Sequence, residues 1–155
     1  VTPRRIKRGR TLGWRMPENT VTVDRRTKWG NPFNLKASEH CWTALACGCK
    51  GDPAGRQRAS VILFREWINN AAACRIQDCG LYAEREGERV AFATSPAITA
   101  PQPPAIEDIQ AELRGRNLAC WCKLCEAHQD GLPLGVQCDQ CAPCHADVLL
   151  EIANR

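Results

Sequence analysis

The sequence predicts a single α/β domain: a small, mostly parallel sheet flanked by helices, with a Cys/His-rich insertion before the C-terminal helix. Three observations lead there. Short apolar or alternating runs occur at residues 20–25 and 117–122, helical periodicity occurs at 60–73, 105–114 and 144–154, and the two kinds of segment alternate along 155 residues. A chain of that length supports about one core. Eleven cysteines inflate the hydrophobic fraction of 44%, so the core is modest and a metal clip would help to hold it.

In chain order, residues 1–19 read as a basic leader. TVTVDR (Thr20 to Arg25) alternates β-branched and polar residues between Pro17 and the Trp29-Gly30-Asn31-Pro32 turn, as a short strand does. In WGNPF, Gly30 and Asn31 accept unusual backbone angles while Pro32 fixes its own, giving a stiff turn with aromatic flanks. Rigid turns after strands often hold ligands, which makes Trp29, Gly30, Asn31, Pro32 and Phe33 candidate binding residues beside Arg25 and Arg26. Residues 37–57, with Cys41, Cys47 and Cys49, read as an irregular insertion. From Ser60 to Ala73, Val61, Phe64, Trp67 and Ile68 share one face opposite Arg65 and Glu66, as in an amphipathic helix. Arg89 to Thr94 is a candidate strand, Ala100 to Pro104 a linker, and Ala105 to Arg114 a helix closed by Gly115. NLACWC (Asn117 to Cys122) then reads as a strand and CHADVLLEIAN (Cys144 to Asn154) as the final helix. No internal repeat is visible.

The net charge of +4 is concentrated at one end: residues 1–28 hold nine Arg and Lys against Glu18 and Asp24. Such a segment favours phosphate-bearing partners, nucleotide or nucleic acid, although a solvated tail has the same composition. The first residues lack the charged, apolar and small-residue order of a signal peptide, and no run approaches the ~20 apolar residues of a membrane span. The expectation is a cytosolic protein without membrane contact, in which clustered cysteines bind metal rather than form disulfides.

Residues 123–143 contain Cys125, His128, Cys138 and Cys141 in a C-x2-H-x9-C-x2-C arrangement. Two residues between ligands let a tight turn aim both donors at one ion, and the Gly- and Pro-containing middle closes a loop around a tetrahedral zinc. Cys122 with Cys125, Cys138 and Cys141 is a rival quartet of familiar zinc spacing. Either set fills the ion's coordination shell, so one structural zinc is expected. Cys41, Cys47, Cys49, Cys74 and Cys79 are left to pack or to form a second site.

Cys120 and Cys122 end the last strand, while Cys144, His145 and Asp147 begin the last helix. These positions are neighbours in an α/β sheet, where ligands gather at the carboxyl ends of strands and near helix N-termini. A thiol there has a lowered pKa, so Cys122 or Cys144 is a candidate nucleophile or second metal ligand, His145 an acid/base and Asp147 an orienting group. The alternative is local packing.

The blocks RMPENTVTVDRRTKWGNPF (Arg15 to Phe33), LRGRNLACWC (Leu113 to Cys122) and PCHADVLLEIAN (Pro143 to Asn154) resemble the family catalogued as domain of unknown function 4326, found in phages, prophages and bacteria. The resemblance implies a compact α/β domain in which CWC and CH are joined by a few residues, so that Cys125 to Cys141 is an insertion here and Cys122, Cys144 and His145 belong to a separate, shared site. It implies no reaction. Three functions remain open: binding of a nucleotide or nucleic acid through the basic segment, WGNPF and the CWC/CH site; a nucleotide- or nucleobase-processing enzyme with a Cys-His pair; and a zinc-stabilised protein-interaction adaptor. Against the enzyme, neither a Gly-rich phosphate loop nor the His-x-Glu…Pro-Cys-x-x-Cys deaminase order is present.

Overall fold

The computed structural model describes residues 2–69, 82–85, 88–91 and 100–155. In chain order its elements are β1 (Arg4–Lys7), β2 (Thr20–Thr22), α1 (Cys41–Ala46), α2 (Pro53–Asn69), β3 (Tyr82–Arg85), β4 (Glu88–Ala91), α3 (Ile106–Leu113), β5 (Asn117–Cys120), β6 (Leu132–Pro133) and α4 (His145–Ala153). Single 3-10 turns lie at Ser38–His40 and Glu126–His128. The chain divides into two compact units, residues 1–30 with 104–155, and residues 31–103.

The first unit is the expected small, mostly parallel sheet, in the order β2-β5-β1-β6. β5 pairs in parallel with both β2 (Val21 opposite Leu118) and β1 (Ile6 opposite Ala119), and β6 joins β1 antiparallel. The presumed leader therefore supplies an interior strand. RRIK carries a single apolar residue, and its alternation is hidden because one inward side chain is Arg5, which is 1% exposed. That burial is tolerated because the Arg5 guanidinium meets Asp147 Oδ2 at 2.7 Å and the Lys123 carbonyl at 3.4 Å. Asn117 aligns the strand starts: its Oδ1 accepts the Arg4 N–H, its Nδ2 donates to the Glu18 carbonyl, and its own N–H donates to the Asn19 carbonyl.

β2 is shorter than the predicted 20–25 strand. Its ladder ends with the Val23 N–H on the Ala119 carbonyl, after which Asp24 turns the chain, its Oδ1 accepting from Arg26 N–H and its carbonyl from Thr27 N–H. α3 and α4 pack on each other, and α4 also lies on β5 and β1. Seven of the nine α4 residues are buried, so this helix is apolar nearly all round and fills the core of the unit. Its C-terminal carbonyls are capped from α3's end: Arg114 donates to the Ala153 and Arg155 carbonyls at 3.0 Å each. The segment 123–143 is more than a loop, since it adds β6 to the sheet edge and places Leu124, Leu132 and Cys141 in a small buried cluster. Gly131 (φ +118°) permits that close pairing, because a Cβ would sit 2.6 Å from Arg4 Cδ and 3.0 Å from the Arg5 carbonyl oxygen.

In the second unit, α2 begins at Pro53, seven residues before the expected start at Ser60. The start signal is Asp52-Pro53: the Asp52 carboxylate accepts the Gly55 N–H at 2.7 Å, and proline suits a first helical position. Segment 37–57, expected to be irregular, holds α1 and this first turn of α2. Arg56 secures it by donating to the Leu35, Lys36 and Gly51 carbonyls. Phe33 lies edge-on to Trp67 at 5.9 Å between centroids, and Phe64 lies 5.7 Å from the same ring. β3 and β4 form an antiparallel pair from Tyr82 opposite Ala91 to Arg85 opposite Glu88. β4 covers the start of the expected 89–94 strand, while residues 92–94 and the last residues of the 60–73 helix lie outside the described residues, as do Cys74 and Cys79. No described helix is long and apolar enough to cross a membrane.

Candidate metal centres

Two Cys/His clusters that can hold a metal ion lie in the first unit. The first comprises Cys125, His128, Cys138 and Cys141, whose ligand atoms all fall within 4.8 Å of one another. The 3-10 turn Glu126–His128 carries His128 back over Cys125, with the His128 N–H on the Cys125 carbonyl. Tetrahedral zinc with bonds of about 2.3 Å to sulfur and about 2.0 Å to nitrogen separates its ligands by about 3.8 Å (S to S) and about 3.5 Å (S to N). The observed separations are 3.8 Å for Cys125 Sγ to Cys138 Sγ, 3.5 Å for Cys141 Sγ to His128 Nδ1, and 3.1 Å for Cys125 Sγ to His128 Nδ1. The Cys125 N–H also donates to Cys141 Sγ, the bond that commonly steadies a zinc thiolate. An N–H from Gln140 heads the causes that bring the Cys138 thiol down to about 7, whereas burial pushes Cys141 up to about 11. Of the two quartets open to the sequence, this is the one with His128.

Cys122 belongs elsewhere. The second cluster comprises Cys120, Cys144 and His145, all buried. Cys122 Sγ lies 3.9 Å from Cys120 Sγ, and the Cys122 and Cys144 thiols hydrogen-bond. Parallel pairing aims the end of β5 at the start of α4, where Cys144 has extended backbone and His145 is the first helical residue. Hydrogen bonds from the Cys122 and then the Cys144 thiol hold Cys120 as a thiolate, its pKa brought down to about 2. Sharing with Cys120 raises Cys122 to about 11, and burial pushes Cys144 well up. Burial also depresses His145, which is therefore a neutral imidazole near pH 7. Its Nε2 faces the Val23 carbonyl at 2.5 Å, and because a carbonyl only accepts, Nε2 carries the proton and Nδ1 the lone pair. Nδ1 lies 3.8 Å from Cys144 Sγ. Asp147, expected to orient a substrate, is paired with Arg5.

The WGNPF side chains turn inward. Trp29 is 4% exposed, with Lys28 Nζ 4.5 Å from its ring centroid. Gly30 packs on the preceding turn, where a Cβ would lie 2.6 Å from Arg25 Cα and 2.8 Å from the Asp24 carbonyl oxygen. In the other unit, Asn31 donates to Ser60 and accepts the Phe33 N–H at 2.8 Å, while Phe33 is fully buried. Arg25 and Arg26 are exposed just past β2. Sequence reasoning overlooked Arg8, Arg10 and Trp121 as a group. The two guanidinium carbons lie 4.7 and 4.5 Å from the Trp121 ring centroid, and Arg8 is also bound to Asp24 at 2.6 Å. A signal for them existed: basic residues follow one short β-prone run and a Trp follows another, which converge once the runs pair in parallel. Cys41, Cys47 and Cys49 join no metal-competent cluster among the described residues, and burial raises Cys47 to about 12.

No curated protein and no solved structure matches the chain. A family model does match, over residues 6–155, which takes in β2, β5 and the end of β1, both Cys/His clusters and the segment between them. The chain therefore belongs to the family of the domain of unknown function DUF4326.

Proposed function

We propose that this protein is a zinc-stapled domain that binds nucleic acid along the edge where its parallel strands end. The observation that carries the reading is convergence. β1, β5 and β2 all run the same way, so Arg8 and Arg10, Trp121, and Arg25 and Arg26 leave the sheet at one edge, with both of the first pair stacked on Trp121. The carboxyl edge of parallel strands is where ligands of α/β folds bind. Held against the indole, Arg10 keeps its N–H edge for phosphate while Asp24 fixes Arg8, and the partly exposed ring offers a surface for a base. WGNPF contributes indirectly, by seating the Arg25-Arg26 turn against Gly30.

The staple is one zinc on Cys125, His128, Cys138 and Cys141, supported by the tetrahedral spacing of their donor atoms. Its four protein ligands leave no position for water, so its role is structural. A Cys-His enzyme has less support, because His145 Nε2 is engaged by Val23 and Asp147 by Arg5.

The test is fluorescence anisotropy of a labelled single-stranded oligonucleotide over a salt series. Affinity should fall steeply with salt, by about 0.7 logarithmic units per tenfold rise for each phosphate contacted, and Arg10→Ala and Arg26→Ala should each shallow that slope. Binding that ignores salt, or no binding at low salt, would exclude the reading. Free mononucleotide shares the phosphate and base chemistry; competition at equal molar amounts would transfer the assignment to nucleotide.

A further inference from the structure

We infer that Cys120, Cys122, Cys144 and His145 form a second, independent zinc centre that clamps the end of β5 to the start of α4.

Three geometric facts support it. First, the donor atoms have zinc-like spacing: 3.9 Å for Cys120 Sγ to Cys122 Sγ and 3.8 Å for Cys144 Sγ to His145 Nδ1, against about 3.8 and about 3.5 Å for a tetrahedral ion. Secondly, the imidazole is prepared as a ligand. The Val23 carbonyl accepts a hydrogen bond from Nε2–H, which fixes the tautomer with its lone pair on Nδ1, the atom that faces the Cys144 sulfur. A carbonyl behind a metal-binding histidine is the usual outer-shell partner. Thirdly, the Cys120 and Cys144 sulfurs and the His145 imidazole converge within a buried space, where packing alone would favour apolar groups, and the partly buried Cys122 thiol, 3.9 Å from Cys120 Sγ and hydrogen-bonded to Cys144, stands beside them as the third sulfur.

Ligand chemistry selects the ion. Three thiolates with one imidazole suit tetrahedral zinc, whereas magnesium and calcium need oxygen donors. On binding, the cluster's remaining S–H protons pass to solvent and the ion bonds to three Sγ atoms and to Nδ1. The centre then joins three elements: Cys120 and Cys122 at the end of β5, Cys144 and His145 at the start of α4, and β2 through the Val23 carbonyl. It shares no ligand with the Cys125 quartet. With four protein ligands it is closed, so Cys144 and His145 act as ligands rather than as a catalytic pair.

Zinc per chain on the folded full-length protein, read by native mass spectrometry, tests this together with the variant Cys125→Ser/Cys138→Ser. The unaltered chain should carry two ions and the double variant one. X-ray absorption of that remaining zinc should show three sulfur neighbours and one imidazole nitrogen. Two ions falling to none, or a single ion on the unaltered chain falling to none in the double variant, would overturn the second centre. One ion that survives in the double variant would instead remove the loop zinc and keep this one, so the two assignments fail separately. A chain without zinc removes both. Cys144→Ser should lose a single ion; if that variant does not fold, the counts on the unaltered chain and on Cys125→Ser/Cys138→Ser still decide.

Discussion

Replacing Asp147 with Asn isolates the interaction that keeps a charged residue inside the sheet. Arg5 is 1% exposed and its guanidinium reaches Asp147 at 2.7 Å, whereas the Asp147 side chain is 39% exposed. Breaking a fully buried ion pair from one side costs about 3–5 kcal/mol, because the partner charge is left uncompensated. Solvent at Asp147 screens part of that, and the Asn oxygen still accepts a hydrogen bond, so a loss of about 2–3 kcal/mol is expected. In a domain of this size each kcal/mol moves Tm by roughly 2–4 °C, giving a drop of about 4–12 °C. Urea unfolding followed by tryptophan fluorescence, with zinc in excess, measures it at matched m values. The double variant Arg5→Met/Asp147→Leu should recover most of the loss, since it removes the buried charge along with its partner. A loss under about 0.5 kcal/mol in Asp147→Asn, or a double variant no more stable than the single one, would show that Arg5 does not depend on this pair. An orienting role in catalysis predicts the contrary pattern, in which stability hardly changes.

Two other substitutions probe the local geometry. Gly30→Ala places a methyl against the backbone of Asp24 and Arg25, which cannot swing aside as a side chain would; a cost of about 1–3 kcal/mol should appear in thermal melts, with weaker oligonucleotide binding as the Arg25-Arg26 turn is displaced. Cys138→Ser should lower Tm and release the loop zinc, and hydrogen exchange should rise in 123–143, including β6, while α4 stays protected; equal loss of protection in α4 would mean that the segment cannot open alone.

The fold class was legible because the apolar segments are. Asn117–Cys120 and His145–Ala153 carry their hydrophobicity in the sequence, and both are nearly fully buried. β1 was hidden because the polarity of RRIK reflects partners more than a hundred residues away, Asp147 and Lys123. The Cys125 quartet could be found since its ligands fall in one segment with recognisable spacing. The strand-end cluster could be placed only in outline: residues at 120–122 and 144–145 meet through sheet register, and the Val23 carbonyl that orients His145 has no sequence signature. The WGNPF motif shows the converse. A sharp local pattern was legible as a turn, but only three-dimensional packing reveals that its side chains face inward and that its glycine supports neighbouring arginines.

The basic segment also divides once partners are known. Arg8 is balanced by Asp24, Lys28 by Glu112 and Arg5 by Asp147. A zinc with three thiolates and an imidazole has one net negative charge. Arg5 and Arg25 act electrostatically on that cluster, Arg5 on Cys122 and His145 and Arg25 on His145, so part of the positive edge would offset the proposed metal centre. Lys7, Arg10, Arg15, Arg25 and Arg26 are exposed and have no carboxylate ion pair among the described residues; of these, Arg10, Arg25 and Arg26 lie at the strand-end edge, within reach of a ligand's phosphates. Net charge along the sequence therefore overstates the electrostatic attraction the edge can exert. If both proposals hold, the strand-end centre and the proposed nucleic-acid edge are coupled at one place: emptying that site would remove the ion proposed to hold Cys120 and Cys122 beside α4, and with it the support for Trp121 between them.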